Sequence, residues 1–246
     1  MKTSNKIVLV LFFSMFLASI IGIIYVKNVL LSDLHIGDAN LKEYSASLEA
    51  YSKLKINKNV RVSFEQSEQY GFTLVADSNV IEQVLIVSEN NVVSINVEGV
   101  FVSSKPIEIH LQGKNLESII LDNGAQLNID NQIQVSNLDV VVNEGAYLFM
   151  NGIFDSLSVN SNTGCNTDLM GSCKNLYIHS SAGSRLNADS LKVNNCKIST
   201  STGAVSNLHV LETFDVNASS GAIINYSGTP KIINNEISMG AKLVSK

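Results

Sequence analysis

The sequence predicts an all-β fold, a β-solenoid (parallel β-helix) with about 19 residues per coil. Seven glycines recur through the second half of the chain at spacings of 21, 19, 19, 20, 18 and 19 residues. A fixed period that carries strands rather than helices is typical of a solenoid. Glycine suits a corner because it adopts positive φ at no steric cost. The repeat glycines, which we expect to be structural, are Gly124, Gly145, Gly164, Gly183, Gly203, Gly221 and Gly240.

Apolar residues keep fixed distances from these glycines. The positions seven before, five before and three after each glycine are mostly apolar, and a small residue follows each glycine. These odd offsets lie on one side of an extended chain because side chains alternate between faces. We therefore expect them to stack, coil on coil, as the core. The position five before reads Ile119, Val140, Val159, Ile178, Ile198, Val216 and Asn235.

Polar residues occupy the complementary offsets. The position two before each glycine reads Asp122, Asn143, Asn162, Ser181, Ser201, Ser219 and Ser238. We interpret this column as a structural hydrogen-bonding ladder. The alternative is a calcium or glycan stripe, but calcium prefers several converging carboxylate or carbonyl oxygens, and these side chains are mostly neutral. We expect no metal and no cofactor.

Composition limits the classes of function. The net charge is −5, and no basic stripe with interleaved aromatic residues occurs, so we expect no nucleic-acid partner. The three cysteines, Cys165, Cys173 and Cys196, include no CxxC pair, which argues against a disulfide framework and a zinc site. Cys196 stands in an apolar core column, and a Cys165–Cys173 disulfide is left open.

The chain begins with an apolar segment. Residues 7–26, IVLVLFFSMFLASIIGIIYV, carry no charge, and lysines flank them on both sides. Twenty such residues are enough for a transmembrane helix. We predict that residues 1–27 are an uncleaved membrane anchor; a signal peptide cleaved near Leu17-Ala18-Ser19 is the alternative. The C-terminal domain would then be extracytoplasmic in a single-pass protein of the cell envelope.

Three further regions follow this segment. Residues 28–51 are predicted to form a tether, with some helix through residues 38–54. Residues 52–115 read as strands, either as atypical first coils or as a small sheet on the solenoid end, and residues 116–246 as regular coils. Because neighbouring strands are about 4.8 Å apart, the six intervals between the seven glycine-marked coils give a rod on the order of 30 Å long. We expect Lys242 and Lys246 to protect the last strand edge by their charge.

Residues 52–246 resemble the "putative auto-transporter adhesin, head GIN domain" family, a domain of unknown function in bacterial envelope proteins. The resemblance rests on the recurring Ser-Gly-Ala-like units, on residues 73–77 (TLVAD) and above all on residues 220–230 (SGAIINYSGTP). Asn123 and Glu144 depart from the serine that usually precedes the glycine in the family. The resemblance implies a right-handed β-helix and brings no established active residues.

We identify no catalytic constellation in the sequence. The histidines, His35, His110, His179 and His209, have no metal-ligand spacing. Asp168 and Asp189 fall at different offsets, so they form no obvious catalytic pair. The early coils carry an apolar patch, formed by Ile120, Val141, Tyr147 and Phe149. This patch is either an interaction face or a surface that the N-terminal strands cover, and we prefer the second interpretation.

The sequence therefore favours a non-catalytic, membrane-anchored, extracytoplasmic β-solenoid. In this interpretation it binds a glycan or protein partner through its lateral face, like an adhesin. The first alternative is a scaffold that self-assembles end to end as a homo-oligomer, and the second is a carbohydrate-active enzyme. Fold alone does not decide among these functions.

Overall fold

A computed structural model describes residues 3–30, 34–102 and 105–246. It confirms an all-β solenoid whose regular coils repeat about every 19 residues. The strands are β1 (Leu34–Ile36), β2 (Leu41–Ser47), β3 (Lys53–Ile56), β4 (Arg61–Gln66), β5 (Gly71–Asp77), β6 (Val84–Glu89), β7 (Val92–Val97), β8 (Val100–Val102), β9 (Glu108–Gly113), β10 (Ser118–Leu121), β11 (Gln126–Val142), β12 (Tyr147–Ser161), β13 (Asn166–Ser180), β14 (Arg185–Thr200), β15 (Val205–Ala218), β16 (Ile223–Ser227), β17 (Lys231–Ile237) and β18 (Lys242–Ser245).

Helical structure is concentrated at the N-terminus. Helix α1 (Thr3–Tyr25) continues into a π-helical turn (Val26–Leu30), and a short 3₁₀ turn (Ile81–Gln83) precedes β6. Side chains of α1 such as Phe12 and Met15 are 69% and 74% exposed. Within the described residues, no helix has the combination of length and apolarity that a membrane span requires.

Parallel pairing joins the coils into one continuous 16-stranded sheet, which we divide into two parts. The part that we call the pre-turn sheet contains β3, β7, β10, β17 and the second halves of β11–β15. The part that we call the post-turn sheet contains β4, β9, β16, β18 and the first halves of β11–β15. Pairing is parallel and in register: Leu127 lies opposite Leu148, which lies opposite Thr167. Residues at one offset from the glycines therefore stack into columns.

Antiparallel strands close the N-terminal end. On the post-turn sheet β9 pairs with β5 and β5 with β2, while β6 pairs with β7 on the pre-turn sheet. The coil of β3 and β4 lies beside β10 and β11, and the coil of β7 and β9 lies outside it, although it comes later in the chain. Atypical coils and a small end sheet, the two alternatives left open by the sequence, are both present.

The expectation of helix through residues 38–54 is wrong. Residues 41–47 form β2, where Tyr44 packs against Phe72 and the Ser45 and Thr73 hydroxyls lie 2.9 Å apart. A short isolated helix is marginal in water, whereas a strand here gains backbone pairing with β5.

Each repeat glycine lies in a type I′ turn. The residue before it has φ between 49° and 54° and the glycine itself between 69° and 76°, and Ala125 N–H donates to the Asp122 carbonyl at 3.1 Å. The turns also stack, since Gly145 N–H donates to the Thr163 carbonyl of the next coil at 3.1 Å. No atom lies within 4 Å of a Cβ added at these glycines, so backbone conformation, not space, favours glycine there.

The predicted core columns are buried in the regular coils, and the exceptions include Glu117 at the N-terminal end and Ile233 and Asn235 in the exposed last coil. Glu117 is exposed just before β10, and its carboxylate accepts a hydrogen bond from the Ser52 hydroxyl at 2.8 Å. Ile233 is 58% exposed because a register shift in β17 places Ile232, not Ile233, opposite Phe214.

The three cysteines are free and buried, so the Cys165–Cys173 disulfide is not formed. The Cys165 thiol lies 3.0 Å from the Ser161 hydroxyl in the solenoid interior. Burial raises the pKa of Cys173 to about 11 and raises the pKa of Cys196 as well. Neutral, buried thiols are poor nucleophiles, which agrees with a packing role.

The last coil has no neighbour on its outer edge among the described residues. All of β17 is exposed, and its inward-facing Ile232 and Ile237 are 39% and 36% exposed. Lys246 does not protect this edge as expected, because its ammonium reaches back to the Asp189 carboxylate at 2.5 Å. Lys242 stays on the exposed β18.

Candidate functional site

Side chains on the outer side of the post-turn sheet form rows that run across the coils. In one row Arg61, Gln126 and Tyr147 stand opposite one another on β4, β11 and β12. Ser63 and Asn128 lie in the next row, and Phe149 continues it. Because neighbouring strands are about 4.8 Å apart, each row brings side chains from separate coils together.

A groove of about 520 Å³ lies on this surface between β5 and β12. Tyr147 and Phe149 are half-buried within it. Ligand sites in proteins commonly combine apolar or aromatic walls with a few well-placed polar groups, and this groove has that composition. We call it the aromatic groove; its lining includes Arg61, His110, Asn128, Asp130, Tyr147 and Phe149.

Hydrogen bonds fix the polar groups beside the aromatic rings. The Tyr147 hydroxyl donates to Asp168 Oδ2 at 3.0 Å, and Asn128 Nδ2 donates to Asp130 Oδ2 at 2.7 Å. Burial, with the Asp168 carboxylate, raises the pKa of Tyr147, so the hydroxyl stays a donor. A carboxylate has about four acceptor positions, and each of these therefore retains capacity for a hydroxyl of a ligand.

The other end of the groove holds His110 between two partners. Its Nδ1 lies 3.0 Å from the Ser63 hydroxyl, and its Nε2 lies 3.3 Å from Glu65 Oε2. Gln112 Nε2 also donates to the Glu65 carboxylate at 3.2 Å. These contacts orient the imidazole ring at the wall of the groove.

The prediction that the N-terminal strands cover the apolar patch is wrong for Tyr147 and Phe149, which line an open groove. β4, β9 and β5 extend the post-turn sheet sideways, so they supply a wall of the groove and leave Tyr147 and Phe149 open to it. Ile120 and Val141 belong to the pre-turn sheet instead. The sequence signalled Tyr147 and Phe149 but missed Arg61 and His110, because strand pairing between β4, β9 and β11 is not local.

The other candidates lie apart. The polar column forms the expected ladder: Asn143 Nδ2 donates to Asp122 at 2.9 Å, and Asn162 Nδ2 donates to Asn143 at 3.2 Å. His35, His179 and His209 lie on β1, β13 and β15. Within residues 3–30, 34–102 and 105–246, no three metal-ligating side chains come together.

Comparison with known families gives a match over most of the chain. The model of the family described as "putative auto-transporter adhesin, head GIN domain" matches residues 50–230. No curated protein sequence matches the chain.

Solved structures from Parabacteroides and Bacteroides species share the fold. A "putative lipid binding protein" from Parabacteroides distasonis superposes with a TM-score of 0.72 at 12% identity, over 87% of this chain and 99% of that one. A "putative adhesin" from Bacteroides fragilis gives 0.70 at 17% identity, over 86% and 97%. Another "putative adhesin", from Parabacteroides merdae, gives 0.67 at 17% identity, over 87% and 99%. Identities this low concern the fold alone.

Proposed function

Because this chain belongs to the family described as "putative auto-transporter adhesin, head GIN domain", we propose that it is a non-catalytic, adhesin-like protein of the bacterial cell envelope. Its partner is a glycan, and the binding site is the aromatic groove. One observation carries this proposal: Tyr147 and Phe149 share an open groove with the carboxylate of Asp130 and the amide of Asn128.

The chemistry of a sugar suits these groups. A pyranose has apolar C–H faces that pack on aromatic rings, and hydroxyls that donate to carboxylates and amides. A protein partner is the alternative occupant and would use the same aromatic anchors. One structural neighbour is named as lipid binding, but the charged groups Arg61 and Asp130 in the groove favour a polar ligand here.

The test is a glycan array probed with the full chain in a polyoxyethylene detergent, followed by titration of the best ligand. Tyr147→Ala and Phe149→Ala are each expected to weaken binding by about tenfold or more, as aromatic anchors do. Tyr177→Ala is the matched control, since Tyr177 is 49% exposed on the pre-turn sheet, away from the groove. An equal loss of binding in Tyr147→Ala, Phe149→Ala and the control Tyr177→Ala would refute the site. Release of cleaved glycan would refute the absence of catalysis.

We also propose that α1 anchors the protein in a membrane, with the solenoid outside the cytoplasm. The support is the uncharged sequence of residues 7–26, and the exposure of apolar side chains such as Phe13 and Phe16 outside the solenoid core. Such side chains favour an apolar environment, although α1 does not reach the combination of length and apolarity of a full membrane span.

Self-assembly is a second candidate function. The observation that favours it is the uncovered last coil, where the inward-facing side chains of Ile232 and Ile237 are still 39% and 36% exposed. An unpaired strand edge with apolar side chains is a template for pairing with another chain.

A further inference from the structure

A second pocket of about 610 Å³ adjoins the aromatic groove. We call it the basic pocket; its lining includes Lys58, Arg61, Phe101, Lys105, Asn123 and Gln126. Three of these side chains are cations, and no carboxylate from the described part of the chain lines the pocket. Arg61 and Gln126 line both cavities, so the two share a wall.

Lys58 lies at the corner of the first coil, in the position that corresponds to the glycine turns of the regular coils. Between β3 and β4 the corner residues are Lys58 and Asn59, and Lys58 has a φ of 65°. Asn57 Oδ1 supports this geometry by accepting the Lys58 N–H at 2.9 Å and Asn123 Nδ2 at 2.7 Å. The residue before each repeat glycine has the same left-handed conformation, so this backbone geometry belongs to the corner and serves here to place the Lys58 side chain.

Two of the cations that line the pocket are not paired with a carboxylate of any described residue. Neither Lys58 nor Arg61 forms an ion pair with a residue in ranges 3–30, 34–102 or 105–246. Glu108 stands opposite Arg61 on β9, on the side of the aromatic groove. Cations in a concave site raise the local concentration of anions and form strong, charge-assisted hydrogen bonds with them.

We infer that the basic pocket binds the anionic group of an acidic oligosaccharide whose neutral units lie on Tyr147 and Phe149. The sugar part of this inference rests on the proposed function; the anion site rests on the pocket itself. Arg61 and Tyr147 are two strands apart in one row, a backbone separation of roughly 10 Å. A short oligosaccharide spans that distance, so one ligand reaches both cavities.

The experiment measures binding of matched acidic and neutral probes to the full chain in a polyoxyethylene detergent, because a sugar-headed detergent would compete. The probes are tetragalacturonate with its carboxyl-reduced form, and sialyllactose with lactose. We expect at least one acidic probe to bind roughly fivefold or more tighter than its neutral partner, with a preference that declines as salt rises.

Variants separate the two cavities. We expect two variants, Lys58→Asn and Lys105→Ala, to abolish the acidic preference while neutral binding persists. Asparagine is chosen at position 58 because it tolerates a left-handed backbone. Lys192→Ala, an exposed lysine on β14 outside the pocket, is the control. Equal binding within both pairs would overturn the anion site and leave the proposed function intact. If Lys58→Asn removes the acidic preference but Tyr147→Ala leaves binding unchanged, the aromatic groove is not the glycan site. If no probe binds, both the anion site and the glycan groove are overturned.

Discussion

Single residues set the corners of this solenoid through backbone conformation. The turn residue before each glycine is itself left-handed, even when it is Thr163 or Thr202, whose β-branched side chains disfavour that region. The glycine that follows takes the second left-handed position of the type I′ turn. Seven repeats of this arrangement explain why the glycine period is visible in the sequence.

Two classes of glycine should therefore respond differently to substitution. Gly164→Ala adds a Cβ into open space and should lower the free energy of unfolding by about 1–2 kcal/mol, from left-handed strain alone. Gly171→Ala should cost about 3 kcal/mol or more, because its Cβ would overlap the Gly152 carbonyl and its φ is 107°. Denaturant unfolding of the full chain measures both.

The control for this comparison is Gly164→Asn, since asparagine tolerates the left-handed region better than alanine does. It should be more stable than Gly164→Ala. Equal losses for the Gly164→Ala and Gly171→Ala variants would contradict the distinction between strain and overlap.

At the scale of elements, alternation in the sequence predicted the strands of the regular coils because it reports burial directly. The glycine offsets also placed Thr167 and Ser206 in a core column, and both are buried although their side chains are polar. Neighbours satisfy part of this polarity, as where Ser184 donates to the Ser161 carbonyl at 2.8 Å. The hydroxyls of Thr200 and Ser206 have no hydrogen-bond partner among the described residues.

The role of α1 is testable as a property of one element. If α1 is a membrane anchor, the full chain stays with the membrane fraction after an alkaline carbonate wash. Phe13→Lys combined with Phe16→Lys should release much of it, since each central charge costs about 3 kcal/mol on insertion.

Tyr44→Lys is the control for the anchor, because Tyr44 is 55% exposed on β2 and belongs to the solenoid. Mass spectrometry of the membrane-bound protein should find an intact N-terminus. Release of the unaltered chain by the wash, or a terminus near Ser19, would contradict an uncleaved anchor.

At the scale of the whole molecule, the order of the first coils was not predictable from local pattern. The chain builds the coil of β3 and β4, leaves through β5 and β6, and returns outside it as β7 and β9. Periodicity reports which residues face inward but not which coil lies next to which. For the same reason the sequence singled out Tyr147 and Phe149 of the candidate site and not Arg61 or Lys58, which non-local pairing brings beside them.

The two ends of the molecule differ in how they cover the core. At the N-terminal end Tyr51 and Val80 are fully buried under the antiparallel strands, whereas Ile232 and Ile237 of the last coil are exposed. Self-assembly through the last coil should therefore join two copies in a closed pair, not a filament, because pairing there buries apolar surface at one end of each chain.

Sedimentation of the full chain in density-matched detergent tests this pair. Its dimer fraction should rise with concentration, and Ile232→Lys should abolish the rise by placing a charge where apolar surface would be buried. Leu211→Lys is the matched control, since Leu211 is 41% exposed on β15 away from the open edge. A monomer at every concentration, or equal loss in both variants, would rule out assembly through this coil and leave the lateral grooves as the basis for function.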